Sequence, residues 1–157
     1  MPPTPTTRQT PGGIHLEDGH STKITIAADP DVSLWEKTVT PPGVDGGDAI
    51  EQTTMHNTTW RPMAPRQLKT LTEVSFTAAY DPDAYNQLVT LINRETTITI
   101  RFPDGSTLAF YGFLKSFEPN EMSEGEQPDA NCTITPTNAD PTTGAESGPV
   151  LTSVAGT

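Results

Sequence analysis

The sequence predicts a mainly β protein, an antiparallel β-sandwich or partly closed barrel with one flanking α-helix. Three observations predict this class: short runs of alternating apolar and polar residues, frequent turn residues between them, and one helical pattern. The chain has 157 residues, with 16 Pro and 12 Gly, and only 32% of it is hydrophobic. We therefore expect about 100 residues to fold as one domain and the rest to form arms, loops and tails.

The clearest element is a hairpin around the turn at residues 103–106. Pro103 presets φ for this turn, and Gly105 accepts positive φ. Before the turn, Ile98 and Ile100 alternate with polar residues, which predicts a half-buried strand.

The strand after this turn is apolar on both faces. One face is predicted to carry Leu108, Phe110 and Leu114, and the other Ala109, Tyr111, Phe113 and Phe117. A face of this kind needs cover, either from the helix of the same chain or from another subunit. One helix can cover only one of the two faces. The sequence therefore predicts inter-subunit contacts at Tyr111, Phe113 and Phe117.

The remaining elements follow from the same patterns. Further strands are predicted at residues 21–28, 32–40, 53–59, 68–80 and 130–137. A helix is predicted after Asp81, which can cap its free N–H groups, and Pro82 suits its first turn. Its apolar stripe is predicted to contain Tyr85, Leu88, Val89 and Ile92.

The predicted organisation is one domain with an extended segment at each end. Residues 1–13 are expected to form an N-terminal arm, residues 14–137 the β-sandwich domain, and residues 138–157 a C-terminal tail. Within the domain, residues 40–66 are too rich in Pro and Gly for regular core strands and form one long arm. Loops of this length inside compact domains are usually functional.

The charge balance excludes several classes of protein. The formal net charge is −11, with 20 acidic residues against 9 Lys and Arg, and no basic residue follows Lys115. Such a surface disfavours DNA binding by counterion release and binding to anionic membranes.

A single cysteine excludes an internal disulfide. The sequence has no apolar segment typical of a signal peptide or a membrane anchor, so we expect synthesis in the cytoplasm.

Candidate chemical groups do not form a recognised site. The residues His15, Glu17, Asp18 and His20 lack a metal-binding spacing, and Asp45 and Asp48 lack the alternation of a calcium loop. Cys132 is expected to be a small core residue rather than a nucleophile. We expect no enzymatic activity, no catalytic residues, no metal and no cofactor.

Three stretches in a fixed order resemble a known family. They are VTPPGVDGGDAIEQTTMHN, LTEVSFTAAYDPDAYNQLVTLINRETTITIRFPDGSTLAFYGFLKSFEP and EGEQPDANCTITPTN. Together they are similar to the major tail tube protein of long-tailed bacteriophages over about residues 14–140. The resemblance implies a tube-forming β-sandwich with one flanking helix, close to the secreted-tube protein of type VI systems. It also implies a virion structural protein located in the phage tail.

The resemblance further implies how the copies assemble. Six copies would join their sheets into a ring, and rings would stack around a tape-measure protein, with tail terminator and tail-tip proteins at the ends. DNA would pass through the lumen during ejection without specific binding. The long arm would reach the next ring, with Pro41, Pro42, Val44, Asp45, Asp48 and Ile50 as its contact residues. The lumen acids are predicted at Glu118, Glu121, Glu124 and Glu126.

Two other functions fit the same sequence. A related tail terminator or completion protein would form a single closed ring. A small ligand-binding β-sandwich would instead present Trp35 and Trp60 on a ligand face in a soluble monomer.

Overall fold

The computed structural model describes residues 22–29, 35–80 and 82–153, without the side chains of residues 83 and 84. The predicted N-terminal arm, the candidate metal-binding residues 15–20 and the Asp81 helix cap lie outside the described residues. Within these ranges the chain forms eleven strands and one helix: β1 (Lys23–Ile26), β2 (Glu36–Thr40), β3 (Val44–Asp45), β4 (Ile50–Glu51), β5 (Met63–Ala64), β6 (Thr70–Leu71), β7 (Val74–Ala79), α1 (Pro82–Leu91), β8 (Thr96–Arg101), β9 (Thr107–Pro119), β10 (Asp129–Pro136) and β11 (Val150–Thr152).

One antiparallel sheet dominates the fold. Its strands lie in the order β1-β8-β9-β10-β7-β2, and β11 pairs with the beginning of β9. The edge strands β1 and β2 approach each other through a side chain, because the Ile24 N–H donates to Glu36 Oε1 at 2.9 Å. The sheet therefore curls without closing as a barrel, and the predicted mainly β class with one helix is confirmed.

The core lies on the concave side of this sheet. Alternate residues of five strands point into it, which is the period of two expected for a sheet with one buried face. Its buried side chains include Ile24, Ile26, Val74, Phe76, Ile98, Ile100, Phe110, Leu114, Cys132 and Ile134. The predicted hairpin is confirmed, with β8 paired to β9 from Thr96 and Gly112 to Arg101 and Thr107.

Helix α1 packs on the core with a face that overlaps the predicted one, since the predicted Leu88 and Ile92 lie on the core and Leu91 joins them. Leu88 and Leu91 are buried, whereas Tyr85 and Val89 are 43% and 48% exposed. The end of the helix is fixed on β9, since the Asn93 N–H donates to the Leu114 carbonyl at 3.0 Å. Because Leu91 is apolar as well, the sequence fits two overlapping apolar stripes on the helix, one with Val89 and one with Leu91. The attachment of the helix end to β9 selects the stripe that contains Leu91. The predicted burial of Val89 was therefore wrong, and Tyr85 is covered only in part, by an edge-on contact with Phe117.

Three of the predicted strands differ in position or length from the strands of the structure. The segment at 53–59 is an exposed turn, where the Thr54 N–H donates to Asn57 Oδ1 at 2.7 Å, so the strand prediction there was wrong. The strand predicted at 68–80 is divided into β6 and β7. The strand predicted at 32–40 contains β2, and its residues 32–34 are not described.

Candidate assembly surfaces

The outer face of β9 carries Tyr111 and Phe113. Their neighbours along the strand, Phe110, Gly112 and Leu114, are buried, so alternation places the two aromatic side chains on the convex side of the sheet. Both are half-buried in the single chain. The residues opposite them on the adjacent strands are threonines, with Tyr111 facing Thr97 of β8 and Phe113 facing Thr135 of β10.

Phe117 does not share this outer face, so the sequence prediction of its face was wrong. The register between β9 and β10 shifts where Leu114 pairs with Ile134 and Ser116 pairs with Thr133. Lys115 is thus an extra residue, a β-bulge, and a bulge reverses the alternation that follows it. Phe117 consequently points to the core side, where it packs against the buried cluster.

Two tyrosines hold Phe117 on that side. Its ring stacks on Tyr80 with centroids 6.2 Å apart and meets Tyr85 edge-on at 5.8 Å. These contacts extend the core under the beginning of the helix. Of the three predicted inter-subunit residues, the structure brings together Tyr111 and Phe113 and separates Phe117 from them.

The long arm is a narrow two-part ladder that extends from the sheet. Near the sheet, Val44 and Asp45 of β3 pair with β6, and further out Ile50 of β4 pairs with β5. The arm therefore runs from about residue 41 to residue 73 and includes all the predicted contact residues. Among these, Val44 is 63% and Ile50 45% exposed.

Local hydrogen bonds give the arm a defined conformation. Gly47 has a φ of 80°, and a Cβ on it would come within 2.9 Å of Cδ of Arg66. This space lets the Arg66 side chain cross the ladder, where its Nε donates to the Asp48 carbonyl at 2.8 Å. Further out, the Gln52 N–H donates to the Pro62 carbonyl at 2.9 Å. The arm is thus ordered although, apart from Leu71 at its base, its large apolar side chains remain exposed.

The arm exposes large apolar side chains. At its tip Met55 and Trp60 are 101% and 83% exposed, and Leu68 near its base is 80% exposed. Scattered exposed apolar residues are normal, but a set of them on one projecting ladder is a candidate interaction surface. Sequence reasoning placed the contacts between residues 41 and 50 and missed this tip. The available signal was the presence of Met55 and Trp60 in a polar stretch that lacks the alternation of a half-buried strand.

A second set of exposed residues lies beside the arm. Strand β11 continues the edge of β9 where β10 leaves it, with Val150 and Leu151 paired to Ala109 and Leu108. Both side chains are more than 60% exposed. A groove of about 690 Å³ runs between the base of the arm and residues 146–149. The predicted C-terminal tail is therefore partly an additional strand of the sheet.

The predicted lumen acids lie at one end of the sheet. Glu118 is near the end of β9, and Glu121, Glu124 and Glu126 follow in the loop to β10. All four are exposed, and within the described residues none of them forms an ion pair. They do not line the middle of the convex face, where threonine and asparagine predominate.

Cys132 has the chemistry of a core residue. Its side chain is 1% exposed, and burial raises the pKa of its thiol to about 12, so the thiolate that a nucleophile requires does not form at neutral pH.

Within the described ranges, no group of three or more His, Cys, Asp or Glu residues is placed to hold a metal ion. In the same part of the chain, no helix is long and apolar enough to cross a membrane.

The raised pKa of Cys132 predicts a loss of stability at high pH. The unfolded chain releases the thiol proton near pH 9 and the folded chain only near pH 12, so this contribution is complete below pH 9 and declines above it. We expect the free energy of unfolding to fall by about 1.4 kcal/mol per pH unit between these values. Urea unfolding at pH 8, 10 and 11 checks this, with Cys132→Ala as the comparison. An equal decline in both proteins would contradict it.

Comparisons with solved structures find chains of the same fold. No protein-family model matches the chain, and no curated protein matches it. A chain in the virion of a native gene transfer agent particle has a TM-score of 0.60 and 10% identity, covering 88% of this chain and 100% of that one. A chain in the six-fold symmetrised baseplate of the anti-feeding prophage has a TM-score of 0.54 and 6% identity, covering 85% and 92%. These likenesses show a shared fold.

Proposed function

We propose that this chain is a virion structural protein, the major tail tube subunit of a phage-type tail. Copies form hexameric rings, rings stack into a tube, and the tube conducts DNA into the host. The observation that carries this proposal is the arm, which is held in one conformation while Val44, Ile50, Met55 and Trp60 remain uncovered. A second copy is the partner that would cover an exposed apolar surface of this kind, since within the described residues these arm side chains have no cover of their own.

Two further observations support assembly. Tyr111 and Phe113 form an aromatic centre on the convex face of the sheet, where a neighbouring copy in the same ring would cover them. The similar chains come from a virion and from a six-fold baseplate, and the match to the virion chain covers its whole length. By the same analogy, the tube contains a tape-measure protein and ends in terminator and tip proteins.

The acidic charge suits a passage for DNA. A net charge of −11 per copy repels phosphates, so DNA can slide through a ring without binding to it. Because Glu118, Glu121, Glu124 and Glu126 follow the end of β9, these acids would stand at the rim of each ring, between the lumen and the next ring. Only charges within about 8 Å of the passing phosphates act on them at physiological salt.

The test of this function is assembly of the purified protein. We expect concentrated protein to sediment as large particles and to appear as rings and stacked tubes in negative-stain electron micrographs. Protein that remains monomeric at every concentration would contradict the proposal. The control is the same protein diluted below the assembly threshold, which should keep the same circular dichroism spectrum.

A single-ring role is the second candidate, favoured by the similarity to a baseplate chain. A terminator or completion protein of this fold would form rings but would not stack them. Rings that never elongate, at concentrations where ring formation is complete, would support this second candidate over a tube subunit.

A further inference from the structure

Two basic side chains lie directly opposite each other at one end of the sheet. Lys23 of β1 and Arg101 of β8 are paired in register, and both are exposed. Like charges directly opposite on neighbouring strands destabilise a sheet. Within the described residues, neither side chain has an ion-pair partner. The folded chain therefore retains an unfavourable pair that a second molecule could compensate.

Two carboxylates lie near the basic pair without forming an ion pair with it: Glu36, whose Oε1 accepts from the Ile24 N–H at 2.9 Å, and Asp104. Asp104 lies in the turn after β8, and its carboxylate accepts hydrogen bonds from the Ser106 hydroxyl at 2.6 Å and the Ser106 N–H at 2.9 Å. Those bonds hold the pKa of Asp104 below its ordinary value, so it is ionised, but it forms no ion pair with either basic residue.

The unpaired acids lie at the far end of β9 from Arg101. Arg101 pairs with Thr107 at the beginning of β9, and Glu118 lies near the end of that strand. At about 3.3 Å per residue, the strand separates them by roughly 35 Å. The acidic segment Glu118–Glu126 follows, with four exposed glutamates that no basic side chain pairs in the described chain. Along β9, each copy therefore has a basic end and an acidic end.

We propose that copies join end to end with one polarity, the Lys23–Arg101 pair of one copy binding the Glu118–Glu126 segment of the next. This inference rests on the proposed function and names the surfaces that meet when rings stack. A contact between two different surfaces extends a filament in a single direction when the rotation between copies does not close it into a ring. It also explains why the subunit keeps two like charges in register.

The first test separates the effect on the fold from the effect on assembly. Lys23→Glu places a carboxylate opposite Arg101, so the unassembled subunit should gain stability, by about 2 °C in Tm. The same change should raise the threshold concentration for tubes at least tenfold, because the acidic segment of the next copy now meets a negative group. Arg94→Glu has the same charge change away from both ends and should leave the threshold unchanged.

The second test uses two complementary variants. Lys23→Glu with Arg101→Glu makes both ends acidic, and Glu121→Lys with Glu124→Lys makes the acidic end basic. Neither variant alone should form tubes, whereas an equimolar mixture should form them, with the two proteins alternating. The mixture has the wild-type mean charge of −11, so the mean net charge cannot account for the rescue.

Each outcome decides the proposal. Either variant forming tubes at the wild-type threshold, or a mixture that fails to rescue assembly, would overturn the charge pairing and leave the tube function standing. Wild-type protein that never forms tubes would overturn both. Alternating tubes from the mixture would support both.

Discussion

Phe113→Asp is expected to abolish ring formation and leave a folded, soluble monomer. The side chain lies on the convex face of β9 beside Tyr111 and is only half-buried within one chain. A carboxylate there remains hydrated in the monomer, but between two copies it would be buried without a partner, at a cost of several kcal/mol for each interface. Sedimentation velocity and circular dichroism of the variant check the two parts of this expectation.

The same strand supplies a matched comparison. Phe117→Asp has the same chemistry four residues further on, but Phe117 packs against the core with Tyr80 and Tyr85. This variant should lose about 3 kcal/mol of folding stability. Val89→Asp, on the exposed side of the helix, should fold and assemble normally. If Phe113→Asp unfolds the chain as Phe117→Asp does, the convex face is part of the core and the ring contact lies elsewhere.

Replacing Met55 and Trp60 with Ser is expected to prevent stacking while rings still form. The two side chains are almost fully exposed at the tip of the arm, so their loss removes no contact within the folded subunit. The expected effect is a shift from tubes to separate rings in electron micrographs, with an unchanged Tm. The loss of two buried anchors in an interface commonly lowers affinity by a factor of 100 or more.

Trp35→Ser is the control for this change. Trp35 is also exposed, at 64%, but it lies before β2 and outside the arm. This control should form tubes as the wild type does. Tubes of normal length from the Met55 and Trp60 variant would contradict the role of the arm. A tryptophan fluorescence response to a glycan, without any effect on assembly, would instead favour a ligand-binding protein.

The parts of the fold that sequence predicted are those set by local chemistry. The hairpin at 103–106 depends on Pro103 and Gly105, and the alternation of Ile98 and Ile100 gave the buried face of β8 directly. Pro82 predicted where the helix begins, because proline suits the first turn of a helix. In each case the residue itself restricts the backbone or the burial, so no distant contact was needed.

The errors arose where distant contacts decide. The bulge at Lys115 depends on how β10 aligns with β9, and no residue type in β9 announces it. It moved Phe117 from the outer face to the core. The helix face was likewise selected by the attachment of Asn93 to Leu114. Both errors concern register between elements, which a single sequence specifies only through the whole fold.

The candidate surfaces were predicted in part. The sequence marked the arm by its Pro and Gly content, but its length and its apolar tip appear only when β3 pairs with β6 and β4 with β5. The distance between the basic pair and the acidic segment also depends on the strand pairing. These features need three-dimensional placement because they join residues that are far apart in sequence.

A reconstruction of the assembled particle by cryo-electron microscopy tests the central claim most directly. The account predicts repeated copies around an axis, with Tyr111 and Phe113 covered by a neighbour in the ring and Met55 and Trp60 seated on a copy in the next ring. Particles in which these four side chains face solvent, while other surfaces join the copies, would contradict it.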